Sequence, residues 1–278
     1  ASTIEIPGTI KYIAKDLGFD NKNIKSIVFG EGIETIDDCF SFVPNLESVM
    51  VSKSVSIIAE NAFMGTKWLH SQTRLIILGS VLIGVRNVNS VLYVPQGVRT
   101  IGTLSIENCN FTKVVLPESV TTMQKDAFRC NENIKDFVFT EALTKIGHNS
   151  FGNNKWTKPY GDNLTIINNQ YYQHNKDEEN VVIPDGVTKL CGFVFEEDTN
   201  IWDSGLSEKK DINKVKSVRF PKTLKIIGPC AFWFRKSLTT IDLAEGLETL
   251  EYHCFAGCEH LNNITLPNSL KKIGDGVF

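Results

Sequence analysis

The chain repeats itself about every 23 residues. Residues 238–260, LTTIDLAEGLETLEYHCFAGCEH, are followed by LNNITLPNSLKKIGDGVF over 261–278. The apolar positions align as Leu238/Leu261, Ile241/Ile264, Leu243/Leu266, Leu247/Leu270 and Leu250/Ile273, each pair 23 apart. The same template recurs from Ile24, Leu46, Phe111, Ile134 and Val215. A unit this short cannot bury its apolar face alone, so copies must stack, and the expected product is a solenoid and not a globular enzyme. Function is then to be sought on a surface.

The template reads L-x-x-I-x-L-P-x-x-L-x-x-I-x-x-x-x-A-F-x-x-C. Its first half alternates apolar and other residues, as a half-buried strand does. Proline then ends it at Pro7, Pro95, Pro117, Pro184, Pro221 and Pro267, because a residue without an amide hydrogen cannot donate to the ladder. The second half has irregular spacings that suit short turns or 3₁₀ pieces. Strand centres fall at Ile4, Ile27, Val49, Leu92, Val114, Phe137, Val181, Val218, Ile241 and Ile264, which predicts one parallel sheet on the concave side.

Composition narrows the function classes. The net charge is −3, with Lys and Arg scattered and no basic run, which argues against nucleic acid as a partner. The longest apolar stretch, residues 75–85, is 11 long and broken by Gly79, Ser80 and Gly84, too short to span a bilayer as a helix. A single domain over 1–278 is expected, and the opening in mid-repeat reads as a trimmed or processed piece of a longer chain. Of the seven cysteines, Cys39 and Cys254 stand before the repeat's Phe and Cys109 and Cys258 three residues after that slot, positions expected to face the core as small hydrophobes.

Two copies carry insertions that are themselves duplicated. Residues 75–95 align without a gap on 164–184, an offset of 89, each preceded by a Lys-Trp pair (Lys67-Trp68 and Lys155-Trp156). Gly79-Ser80 suits a type II′ hairpin turn, and Asn168-Asn169 takes the same place. Both insertions (about 67–88 and 155–177) are expected to project as β-hairpins over their own Trp. A third, polar insertion at about 196–214 holds Trp202.

The segments IPDGVTKL (183–190), LPESVTTM (116–123) and LPNSLKKIGD (266–275), with the Ala-Phe pairs at 62–63, 127–128 and 231–232, resemble the BspA-like leucine-rich repeat family of bacterial and protist cell-surface proteins. The resemblance covers the chain apart from its insertions. It implies a right-handed curved solenoid displayed outside the cell or on its surface, binding proteins in adhesion or colonisation, with no common catalytic site and no cofactor. Ile106 in the Phe slot and the short spacing from Ile36 to Phe40 depart from the pattern.

Site candidates follow from the register. His253, Cys254, Cys258 and His260 have zinc-ligand types, but the cysteines fall on inward slots and the histidines on outward ones, so no metal is expected. His148, Ser150 and Asp162 lack any nucleophile context. The sequons at Asn110, Asn163 and Asn263 matter only in a cell that glycosylates. The residue between the two inward positions of each strand should meet solvent: Glu5, Val28, Met50, Tyr93, Val115, Val138, Val182, Arg219, Asp242 and Thr265. Six consecutive strands, from Val28 to Val182, place an apolar residue there, and such a stripe often marks a partner site. The competing account is that β-branched residues simply suit strands. The reading is a monomeric, non-catalytic binding module whose ligand is a protein, such as a host or neighbouring-cell surface protein, with Val28, Met50, Tyr93, Val115, Val138, Val182 and Arg219 as contacts. The alternatives are a carbohydrate binder using Tyr160, Tyr171, Tyr172 and Trp202, and an envelope protein that assembles with its own copies.

Overall fold

The computed structural model describes residues 2–18, 20–107, 109–131, 133–147, 150–151, 164–174, 178–195 and 214–278. It forms two compact units, Ala1–Trp156 and Thr157–Phe278. Each is a β-solenoid in which most described repeats contribute a three- to five-residue strand followed by a two-residue strand.

In the first unit, Thr3–Ile6, Ser26–Phe29 and Ser48–Val51 pair in parallel with Ile4, Ile27 and Val49 in one row. After the first hairpin, Ser90–Tyr93, Phe111–Val115 and Asp136–Val138 do the same through Leu92, Val114 and Phe137. In the second unit the row is Val181, Val218 and Ile241 within Asn180–Val182, Ser217–Arg219 and Thr240–Asp242. To this row the tenth repeat contributes only a bridge between Thr240 and Asn263, while its Lys272–Ile273 pairs with Thr249–Leu250 in the row of shorter strands. Among the described residues the longer strands form three sheets in place of one continuous sheet.

The prolines act as the sequence suggests and also open a turn. The carbonyls of Pro117, Pro221 and Pro267 accept from the amides of Val120, Leu224 and Leu270 at 3.0–3.1 Å, three residues on. The second half of each repeat carries the expected turns, and ahead of them it adds an element that was not expected. It forms two-residue parallel strands, for instance Thr100–Ile101, Thr122–Met123 and Lys145–Ile146. Inward Ile101, Met123 and Ile146 stack from turn to turn, and that stacking brings the backbones into hydrogen-bonding register.

Packing runs along the stack. The Phe slot places ring over ring: Phe40 on Phe63 at 6.4 Å, Phe128 on Phe151 at 5.9 Å, and Phe195, Phe232 and Phe255 in succession at 4.7 and 5.3 Å. Ile106 fills the slot fully buried. All seven cysteines are unbridged. Burial pushes the thiols of Cys39, Cys191 and Cys254 up to about 12. Cys109 and Cys258 are only half-buried, Cys258 packing against the core as expected, and their thiols donate to the carbonyls of Glu107 and Phe232.

The insertions are built into the stack and do not project. Leu75–Leu78 pairs antiparallel with Val81–Val85, which then pairs in parallel with Thr100–Ile101 and so takes a place in the second row. Leu164–Ile167 and Gln170–His174 repeat this, the latter strand pairing with Lys189–Leu190. Gly79 has φ +59° at the first turn, and Asn168 and Asn169 both have positive φ at the second, as primed hairpin turns require. Trp68 lies on a five-residue helix, Lys67–Ser71, capped by Thr66, and is buried against Phe63 at 5.3 Å in one cluster with Ile76, Leu78 and Val81. Trp156 and the polar insertion to residue 213 lie outside the described residues.

Candidate protein-binding face

Alternation along a strand puts every second side chain on the same face, so the outward row is fixed by the inward one. Ile27 and Phe29 are buried, and Val28 between them turns outward, half-buried. Met50 stands beside it in register and is 56 % exposed. In the next sheet Tyr93, Val115 and Val138 form one row, with Tyr93 66 % exposed. In the second unit Val182, 63 % exposed, neighbours Arg219 and Asp242.

The apolar row is therefore segmented: Val28 with Met50, then Tyr93 with Val115 and Val138, and Val182 in the other unit beside charge. The expected run of six consecutive strands is interrupted, since among the described residues the hairpin repeats contribute no strand to this row. The first sheet flanks its row with Ser26 and Ser48. The second flanks Val115 and Val138 with Lys113 and Asp136, which pair at 2.6 Å. That ion pair holds the Lys113 ammonium above its ordinary range, chiefly through the Asp136 hydrogen bond, with a small further contribution from Tyr93. The outward face at Tyr93 thus combines a large exposed ring, two valines and a neutralised charge pair. Such a surface can bury apolar area against a partner without stranding a lone charge.

The aromatic residues of the second insertion are placed otherwise than the carbohydrate reading needs. Tyr171 and Tyr172 are 0 % and 4 % exposed, and the Tyr171 hydroxyl is bonded to His174 Nδ1 at 2.8 Å. Neither ring face is open to a sugar, because both rings follow the buried positions of the aligned Leu82 and the core beneath. Tyr160 and Trp202 lie outside the described residues.

The other constellations named from the sequence are placed as follows. Cys254 is in the core, while exposed His253 and His260 face the carbonyls of Gly276 and Lys236 through Nδ1. Among the described residues no group of three or more His, Cys, Asp or Glu side chains converges to hold a metal ion. Ser150 is fully buried and donates to the carbonyls of Gln124 and Gly147, and His148 and Asp162 lie outside the described residues. Asn110 and Asn263 are exposed, and Asn163 is not described. No helix among the described residues is long and apolar enough to cross a membrane.

The family comparison agrees with this architecture. The profile of the BspA type leucine-rich repeat region matches in six copies over residues 1–74, 83–177 and 207–278. A leucine-rich cell surface protein from Faecalibacterium prausnitzii A2-165 is similar at 19 % identity, covering 100 % of this chain and 70 % of its own, with a TM-score of 0.39. A leucine-rich repeat protein from Bacteroides ovatus ATCC 8483 has 19 % identity over 100 % of this chain and 76 % of its own, TM-score 0.27. The pneumococcal vaccine antigen PcpA has 16 % identity over 95 % and 62 %, TM-score 0.38. No curated protein matches the chain in sequence.

Proposed function

The chain belongs to the BspA-type leucine-rich repeat family, and from that premise we propose that it is a non-catalytic module that binds a protein ligand through the outward face of its longer strands. Leucine-rich repeat proteins generally bind proteins, and the family is generally non-catalytic. The observation that carries the reading is the exposure of Met50 and Tyr93 in rows otherwise fixed by the core. Central aromatic side chains supply most of the affinity at protein interfaces, and Tyr93 is the most exposed ring on the long strands. Display at the cell surface and a role in adhesion extend the same proposal and rest on the family resemblance alone.

The test is a titration. A ligand captured by the immobilised chain from surface extracts of candidate partner cells is measured against the parent, Tyr93→Ala, Met50→Ala and Asp242→Ala. Tyr93→Ala is expected to weaken binding by about 2 kcal/mol or more, Met50→Ala by less, and Asp242→Ala by under about 0.5 kcal/mol, as a rim charge does. Parent-like affinity of Tyr93→Ala would remove the strand face from the account.

A further inference from the structure

We propose that the sheet face of the first unit has an unfilled strand position between Met50 and Tyr93, and that an extended segment of the protein ligand enters it as a parallel β-strand. This inference rests on the strand-face reading above and specifies the form the ligand takes there. The row of shorter strands runs through the first hairpin, whose Val81–Val85 pairs with Thr100–Ile101 and lies beside Ile57–Ile58. The row of longer strands does not: Ser48–Val51 ends one sheet and Ser90–Tyr93 begins the next. The strand Leu75–Leu78 folds back antiparallel onto Val81–Val85 instead. One layer of the stack therefore lacks its outer strand. With neighbouring strands about 4.8 Å apart, a skipped layer sets the two edges about 10 Å from each other, which is room for one strand.

Both edges offer backbone groups to that gap. Along a strand, successive residues turn their amide and carbonyl to opposite edges. The Ser48 amide donates back to the Lys25 carbonyl at 3.1 Å, so Val49 and Val51 turn their amides and carbonyls toward the gap. The Val94 amide donates forward to the Val115 carbonyl at 3.1 Å, so Tyr93 turns both of its groups the opposite way, into the gap. Among the described residues no backbone hydrogen bond reaches Val49, Val51 or Tyr93 from that side. The side chains show the same opening. Ile27 and Phe29, inward residues of a strand paired on both edges, are 0 % and 3 % exposed, whereas Val49 and Val51 in the same slots are only half-buried. An unpaired edge is a template for a further strand. Main-chain bonds then supply affinity, and alternate side chains supply specificity.

A guest strand in the register of the rest of the row has one residue level with Met50 and Tyr93. That residue donates to the Val49 carbonyl and accepts from the Val51 amide. The residue before it accepts from the Tyr93 amide, and the residue after it donates to the Tyr93 carbonyl. The side chain of the level residue lies outward between Met50 and Tyr93, where an apolar group removes the most apolar surface from water. Its two neighbours point inward, where Ile76 and Leu78 already pack in one cluster with Val49 and Val51, so these two are small. The Gly79 turn, set against the Ser52 carbonyl, bounds the gap at one end.

The probe is a library of acetylated heptapeptide amides in which Gly, Ala or Ser alternates with varied residues, screened against the full chain. The best binder is expected at a Kd below about 1 mM. N-methylation of either of two adjacent central residues should weaken it about tenfold, because neighbouring amides serve opposite edges, while N-methylation at the peptide's ends should change affinity less than about twofold. Amide hydrogen exchange at Val51 and Tyr93 should slow at least about tenfold in the complex, with no change at Gly30, whose amide is already bonded to the Ile6 carbonyl. A library without a binder overturns the proposal, as does sensitivity at alternate residues only, which means addition to a single edge. Protection of Val51 and Tyr93 already in the free chain, constant or rising with concentration, assigns the gap to the chain itself or to a second copy and overturns it too. A binder that is lost in Tyr93→Ala but tolerates every N-methylation overturns the insertion and leaves the strand face in place.

Discussion

At the scale of single residues, two kinds of contact hold one turn to the next, and their magnitudes differ. The first is the buried ring: Phe128 is fully buried, 5.0 Å from Phe137 and 5.9 Å from Phe151. Phe128→Ala should lower stability by about 3–5 kcal/mol, because transfer and cavity terms add. The second is a serine relay. Ser269 accepts from the Gly246 amide at 2.8 Å and donates to the Leu247 carbonyl at 2.7 Å, one turn back. Ser54 does the same toward Gly32 and Ile33, and Ser119 toward Gly97 and Val98. Gly246 can present its amide this way because its φ is +110°. Ser269→Ala should cost only about 1–2 kcal/mol, and urea midpoints of the two variants rank the contacts. Titration gives a third expectation. Cys39, Cys191 and Cys254 ionise only near 12 when folded, against an ordinary value of 9.0, so between those limits the folded chain keeps protons that the unfolded chain has released. Stability is therefore full below about pH 9 and falls as pH rises toward 12, measurable as a declining melting temperature.

At the scale of elements, the hairpin turn is the point where sequence and packing are most tightly bound. A Cβ on Gly79 would stand 2.4 Å from the Ser52 carbonyl oxygen, and the residue has φ +59°. Gly79→Ala should thus destabilise the first unit by about 1–3 kcal/mol, from backbone strain plus the displaced neighbour, and a thermal melt checks it. The longer strands were legible in the sequence because Ile4, Ile27, Val49, Leu92, Val114, Phe137, Val181, Val218 and Ile241 alternate with polar or outward residues. The outward row, Met50 and Tyr93 included, followed from the same alternation. The two-residue strands were not legible, since a strand of that length has no period to detect. Tyr171 and Tyr172 misled as exposed aromatics, although their alignment with Leu82 and Ile83 in the first hairpin was the available sign that they pack inward.

At the scale of the whole molecule, a stack of repeats offers surface in proportion to its number of turns, and the proposed function assigns stability and recognition to opposite faces of the same strands. Inward Ile, Val and Phe set the register, and the register alone decides which residues meet solvent. Binding variants on the outward face should therefore leave folding nearly intact while core variants act in the reverse way. The central claim is that the partner covers Met50 and Tyr93. Hydroxyl-radical footprinting of the free and ligand-bound chain reads this at the side chains themselves, since methionine and tyrosine are both oxidised readily when exposed. Met50 and Tyr93 are expected to lose most of their reactivity together in the complex, while Tyr12 and Tyr252, exposed at 55 % and 48 % away from that row, keep theirs. Undiminished oxidation of Met50 and Tyr93 in the bound chain, with protection appearing at Tyr12 or Tyr252, would contradict the account.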